Sequence, residues 1–239
     1  MKSEEKNYFN AVADSFDADF NAYSRPAGIL RVEKRVKLFM EYCSLKPGLK
    51  ILEIGCGTGE YSKALFGRGL NLFATDISFN MLRHAKNKLN RTKRVMFFVS
   101  DISLFPFAAD SFDVILGNSI LHHLEIEESL KEIHRVLRKN GRFAFSEPNM
   151  CNPQIFLQKR IKSLKKLVGD SPGEKDFSRW ALRRMFEMAG FKNIIVRPFD
   201  FLHPYTPAAL VKAADKIGTF LERTPLREIA GSLFITGEK

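Results

Sequence analysis

Cysteine is scarce in this chain. Cys43, Cys56 and Cys151 are odd in number and form no C-x-x-C pair, which argues against a disulfide framework or a zinc ribbon and fits a reducing, cytoplasmic setting. Long apolar runs are also missing: no uninterrupted segment is long enough to cross a bilayer, and the opening "MKSEEKNYFN" has no apolar core of signal-peptide type. Neither secretion nor membrane spanning is expected. There is no G-x-x-x-x-G-K-[ST] string, so a phosphate-cradling P-loop is excluded. Internal repeats and low-complexity tracts are absent as well. Acidic residues are outnumbered, 27 against 38 basic ones, for a formal charge of +11. Such an excess favours anionic partners (nucleic acid, phospholipid headgroups or an acidic small molecule), although solubility alone accounts for it equally well.

An apolar share of 45% over 239 residues is ample for a packed core. The segments "LKILEIG", "LNLFATD", "RVMFFVSD", "FDVILGN" and "GRFAFSE" read as short apolar strands. Between them lie amphipathic stretches such as "FNMLRHAKNKL" and "EESLKEIHRVLRKNG". The latter aligns Ile126, Leu130, Ile133 and Leu137 on one face, with Lys and Arg in its last turn before Gly141. Near-continuous apolar strands alternating with helices predict an α/β fold, a parallel sheet covered on both faces.

Ligands of such sheets bind beyond the carboxyl ends of the strands. Here strand one ends in Gly55-Cys56-Gly57-Thr58-Gly59, strand two in Asp76, strand three in Asp101, strand four in Asn118-Ser119 and strand five in Glu147-Pro148-Asn149. Glycine is costly inside regular elements, so three at alternate positions point to a tight turn or a close approach to a ligand. A glycine loop that opens a helix suits a ligand with a negative end. An acid about 20 residues further on, Asp76, stands where ribose hydroxyls are gripped in dinucleotide enzymes. The loop nevertheless reads G-x-G-x-G, preceded by Glu53. The dinucleotide fingerprint would need glycine at Glu60.

Five ordered strings, "LEIGCGTG", "ATDISFNML", "FFVSDISLFPFAADSFDVI", "NSILHHL" and "EIHRVLRKNGRFAFSEP", make the stretch from about Leu49 to Glu147 resemble the class I S-adenosylmethionine-dependent methyltransferases that act on small molecules. The resemblance implies one domain over 1–239 with a Rossmann-like, doubly wound, seven-stranded, mostly parallel sheet, its last strand antiparallel and helices on both faces. The cofactor would be S-adenosylmethionine, with no metal. Gly55, Cys56 and Gly57 would bring backbone against the methionyl and ribose parts, and Glu53 would orient the loop and the cofactor's amino group. Asp76 would take the ribose diol, with Ile77 and Met81 lining the adenine. Met81 equally fits a buried helix face with Leu82, Ala85 and Leu89. Asp101 would accept from the adenine amino group, the Ile102 N–H would meet the ring edge, and the Asn118 carbonyl would lie near the methionyl ammonium. His122 and His123 would lie near the reactive sulfonium, as base or as loop-orienting pair. Glu147 reads as base, substrate anchor or plain strand-end acid. No residue is assigned a catalytic role, because methyl transfer needs no dedicated base.

The flanks are less regular. Residues 1–48 place Phe9, Val12, Ala13, Phe16, Phe20 and Tyr23 at helical spacing, predicting cover helices packed mainly by the phenylalanines, with Tyr23 and Arg25 as site candidates. Insertions at 149–177 and 199–229 would form a substrate lid. The first carries a basic amphipathic helix with Leu157, Ile161, Leu164 and Val168 on one face and Lys159, Arg160, Lys162, Lys165 and Lys166 elsewhere. It reads as a lid, an anionic-membrane contact or a solvated helix. The second predicts a helix from Pro207 with Leu210, Ala214, Ile217 and Leu221 inward, and offers His203 and Tyr205 as substrate contacts. The acceptor is expected to be small or lipid-like. Nucleic acid is less favoured, since "GNSI" replaces an N-P-P-Y-like string. An RNA methyltransferase and a non-catalytic S-adenosylmethionine-binding regulator are the alternatives.

Overall fold

In a computed structural model, residues 2–16, 23–89, 94–160, 175 and 177–239 are described. Strands β1 (Ile51–Ile54), β2 (Leu72–Asp76), β3 (Val95–Val99), β4 (Phe112–Asn118), β5 (Leu137–Pro148), β6 (Lys192–Phe199) and β7 (Ser232–Glu238) form one sheet in the order β3-β2-β1-β4-β5-β7-β6. β7 runs antiparallel to both of its neighbours, and the other pairings are parallel.

The two-residue period of the strands divides the core. Ile51, paired with Leu72 and Val114, points to one face. There it meets Val32, Val36 and Phe39 of α2 (Pro26–Tyr42), Tyr61 and Leu65 of α3 (Glu60–Phe66), and Leu82 of α4 (Phe79–Lys88). Leu52 and Ile54 point to the other face, against Ile126, Leu130 and Ile133 of α5 (Ile126–Val136) and Leu182 and Phe186 of α7 (Arg179–Met188). Each such buried side chain contributes about 2 kcal/mol. α1 (Lys2–Val12) lies outside both cores, α6 (Pro153–Arg160) follows β5, and α8 (Val211–Leu221) lies between β6 and β7.

Three local expectations are overturned. The helix predicted to continue to Gly141 stops at Val136: Leu137 pairs with Phe112 at the start of β4, so its backbone belongs to the sheet, while its side chain stays buried in the same core. In α6, Lys159 is buried and Leu157 is exposed, the reverse of the helical-face assignment. Ile161, Lys162, Leu164, Lys165, Lys166 and Val168, like Phe20, lie outside the described residues. In α8 Val211 and Gly218 are buried, Ala214 packs inward as expected and Leu221 is half-buried, whereas Ile217 and Phe220, and Leu210 just before the helix, face solvent. Gly218 allows this rotation, since a Cβ there would come within 3.1 Å of Phe201 Cβ. Among the described residues no helix is long and apolar enough to cross a membrane.

Candidate active site

The carboxyl ends of β1 to β5 meet at a cavity of about 280 Å³. Its floor is the glycine loop. Gly55, Gly57 and Gly59 all have left-handed backbone, with φ of 62°, 53° and 83°, which side-chain-bearing residues rarely adopt. A Cβ on Gly55 would stand 2.5 Å from Ile120 Cδ1, and one on Gly59 would stand 2.8 Å from Ala85 Cβ. Among the described residues only Phe16, at 3.8 Å, comes near Gly57, so here the bare backbone faces open space.

Asp76 ties the loop to the end of β2. Its Oδ2 accepts from the Gly57 N–H at 2.8 Å and its Oδ1 from the Ser78 N–H at 2.9 Å. Burial pushes this carboxyl above its ordinary value, against the pull of those same hydrogen bonds. Asp101 caps the short 3₁₀ turn Ile102–Leu104, its Oδ1 accepting from the Ser103 N–H at 2.9 Å. Gly55, Cys56, Gly57, Asp76, Ile77, Met81, Asp101, Ile102 and Asn118 all line the cavity. Met81 is also 1% exposed, so it serves the helix face and the cavity together. The buried Cys56 thiol is pushed well above its ordinary value by burial and the neighbouring carboxylates.

Glu53 does not line the cavity. It projects to the same side as Ile51, under the loop, where Ser62 Oγ donates to Oε2 at 2.5 Å. Burial raises this carboxyl to about 7, with the Asp76 charge adding to the shift.

The far wall is built on Glu147. Oε1 accepts from the backbone N–H groups of Ile120 and Leu121, each at 2.9 Å, and Oε2 lies 2.5 Å from His122 Nδ1. Burial would raise this carboxyl, but His122 and the two backbone donors hold it below the ordinary value. Glu147 is therefore the anchor of the loop after β4, and His122 is buried beside it. His123 is held differently, with Nδ1 3.4 Å from Glu5 Oε1 and its ring edge-on to Phe9.

Residues 2–16 supply lining that sequence reasoning assigned to simple packing. Phe9 and Phe16 form cavity wall, and Glu5 joins them. Asn10 positions this segment: its Oδ1 accepts from Ser78 Oγ at 2.8 Å and from the Asn80 N–H at 3.1 Å, and its carbonyl accepts from Asn80 Nδ2 at 2.9 Å. Tyr23 also lines the cavity, while Arg25 stacks over Tyr205 at 4.7 Å. His203 and Tyr205 line neither this cavity nor its smaller neighbour.

A methyltransferase-domain family profile matches residues 52–145. A demethylmenaquinone methyltransferase of Staphylococcus aureus is 30% identical over 200 residues, covering 74% of this chain and 83% of its own. A malonyl-[acyl-carrier protein] O-methyltransferase of Legionella pneumophila is 29% identical over 144 residues, or 57% of this chain. The chain spans about half the length of some curated relatives, 57% and 49% in two cases. Among solved structures, a SAM-dependent methyltransferase of Thermotoga maritima superposes with a TM-score of 0.70 at 20% identity, covering 98% of this chain and 99% of that one. This chain belongs to the class I S-adenosylmethionine-dependent methyltransferases.

The residues present fit that cofactor. Gly57 leaves backbone open for a close approach. Asn118 Oδ1 is a buried acceptor with no hydrogen-bond partner among the described residues, as an incoming ammonium would require. The Asp76 carboxylate accepts from the Gly57, Ser78 and Ile77 N–H groups, and its two oxygens still have lone-pair capacity for a hydroxyl.

Proposed function

We propose that this chain transfers a methyl group to a small-molecule or lipid-like acceptor enclosed at the rim of the sheet. S-adenosylmethionine supplies the methyl on a sulfonium, the S–CH₃ bond breaking as the acceptor's bond forms. In this reading Asp76 holds the ribose diol, Asp101 and Ile102 meet the adenine, and Asn118 receives the ammonium. Glu53 acts one step away, fixing the start of α3 through Ser62. Glu147 positions the Ile120–His123 turn, so that alignment and exclusion of water carry the rate.

One observation carries the reading: the cavity is small, and the N-terminal segment walls it through Glu5, Phe9 and Phe16, with His123 packed against Glu5 and Phe9. A cofactor seated behind such a wall is reached by a metabolite or the end of a lipid more readily than by a folded RNA. The two named relatives act on malonyl-[acyl-carrier protein] and demethylmenaquinone, which supports an acceptor of that size. The N-terminal segment acts as the cover through Glu5, Phe9, Phe16 and Tyr23, whereas no described residue of the insertions 149–177 and 199–229 lines this cavity. The two insertions are bound to each other where Asn149 Nδ2 donates to the Glu228 carbonyl at 2.9 Å and Asn152 Nδ2 to the Ile229 carbonyl at 2.7 Å.

Most of the basic helix first read as an anionic-membrane contact lies outside the described residues, and we propose α8 as a second surface for such a contact. Its outward Leu210, Ile217 and Phe220 are flanked by exposed Lys212, Lys216 and Arg223. The acids of that insertion are engaged elsewhere: Asp200 with Arg35, Asp215 with Lys34, and Glu228 with Arg179.

The test is methyl transfer from labelled cofactor into metabolite, lipid and RNA fractions. Label in a metabolite or lipid fraction is expected. Label confined to RNA would establish the nucleic-acid reading instead. Tight S-adenosylhomocysteine binding with no transfer to any fraction would mark a regulatory protein.

A further inference from the structure

Beside the main cavity lies a second one of about 100 Å³, bounded by α2 and by the starts and ends of β5 and β7 around Pro148 and Ser232. The two share Tyr23, Tyr61, Asn118, Ser119 and Pro148. A molecule in the smaller cavity would therefore reach the position where the unpartnered Asn118 Oδ1 marks the cofactor's methionyl end.

The smaller cavity is lined by two guanidinium groups, Arg31 and Arg35. Arg35 is fully committed: Nη1 donates to Asp200 Oδ2 at 2.7 Å, Nη2 to Ser232 Oγ at 2.7 Å and Nε to Ser146 Oγ at 3.2 Å. Arg31 is not. Its Nη1 donates to the Leu202 carbonyl at 2.5 Å, and its Nε lies 3.6 Å from Asp200 Oδ2, the oxygen already taken by Arg35. Its Nη2 has no protein partner among the described residues, and its side chain is 25% exposed. Asp200 Oδ1 is occupied by Lys34 and the Leu202 N–H. The nearby acids Asp215 and Glu222 face Lys34. Two guanidiniums thus share one carboxylate oxygen, and Arg31, which lines the cavity, has no carboxylate of its own among the described residues. A cation held this way is costly unless an anion meets it, and a guanidinium fork matches an oxyanion in both shape and charge. Consistently, burial and the Arg35 charge lower the Arg31 pKa, and burial with the Arg31 charge lowers that of His203.

We propose that this side cavity anchors the acceptor by an oxyanion, a carboxylate or a phosphate, bound to the Arg31 guanidinium, while the group to be methylated extends past Tyr23 and Asn118 into the main cavity. The inference rests on the reading of this chain as a small-molecule methyltransferase.

The experiment first saturates the protein with S-adenosylhomocysteine, which occupies the cofactor cavity, and then titrates phenyl phosphate, phenylacetate and the neutral benzyl alcohol, following probe signals by NMR. At least one anionic probe is expected to bind at least tenfold more tightly than benzyl alcohol, and which one identifies the oxyanion. Arg31→Gln should weaken that probe tenfold or more while leaving S-adenosylhomocysteine affinity within about twofold. Arg31→Lys, which keeps the charge but not the fork, should fold even if Arg31→Gln does not, and should lose about fivefold. Anionic probes that bind no better than benzyl alcohol, or equally to wild type and both variants, overturn the anchor. Failure of the wild type to bind S-adenosylhomocysteine at all would strike the functional reading, a result distinct from either.

Discussion

Beneath the glycine loop, Glu53 has a chemistry set by its position. With the carboxyl raised from about 4.5 to about 7, the folded protein holds a proton between those pH values that the unfolded chain has released. Stability must therefore fall as pH rises across that window and level off above it. Glu53→Gln stays neutral and keeps an acceptor for Ser62, so its stability should lack that decline, the two proteins diverging by roughly 3 kcal/mol at most by pH 8. Urea unfolding of the cofactor-free proteins at intervals from pH 4 to 8 checks this. Parallel curves would mean that Glu53 titrates alike in the folded and unfolded chains. The loop glycines, Asp76 and Asp101 were legible because their residue types are needed by the backbone they stand on: positive φ, a strand-end carboxylate, a turn cap. Glu53 was legible as part of the motif but not as a residue below the cavity, since a string carries no information on which face of β1 it occupies until the register with β2 and β4 is known. Arg31 was invisible for a related reason. It is one of many basic residues, and its partner Asp200 lies far along the chain.

At the level of elements, the strands followed from apolar runs, whereas helix faces failed wherever tertiary partners outweighed periodicity. Leu137 satisfied the helical spacing of α5 and was taken by sheet pairing with Phe112. α8 kept Ala214 inward but turned Ile217 outward, because Gly218 offered the closer approach to Phe201. α1 shows the converse case, an aromatic face that reads as core packing but closes a cavity. Its attachment runs through Asn10, whose side chain accepts from Ser78 and Asn80. Each such hydrogen bond is worth about 1 kcal/mol net. Asn10→Ala should therefore loosen α1, speed amide exchange in residues 2–16 and weaken S-adenosylhomocysteine binding by about tenfold. The thermal transition should move little, because α1 lies outside both sheet-covering cores. Unchanged exchange and affinity would show that α1 is held by its aromatic contacts alone.

Across the whole molecule, the excess of positive charge and the outward face of α8 act together. Both insertions leave the sheet on the rim where the strands end, since β6 runs parallel to β5 and β7 returns from the same edge. A surface docked through α8 would thus lie beside the acceptor entrance. Leu210, Ile217 and Phe220 are 56%, 62% and 66% exposed, and an apolar stripe flanked by lysine and arginine is the pattern of helices that lie in a bilayer interface. Wild-type protein should sediment with vesicles of phosphatidylcholine and phosphatidylglycerol but not with phosphatidylcholine alone. Raising salt to a physiological level should weaken that binding, because charges beyond about 8 Å are then screened. Ile217→Glu with Phe220→Glu should reduce vesicle binding by about tenfold or more without lowering the thermal transition, as neither side chain is packed. Lys212→Gln with Lys216→Gln should reduce mainly the salt-dependent part, near 1 kcal/mol per charge removed. Equal vesicle binding by wild type and the double glutamate variant would take the membrane away from α8. A dimer in sedimentation velocity that the same variant splits would give the face to a second copy of the chain.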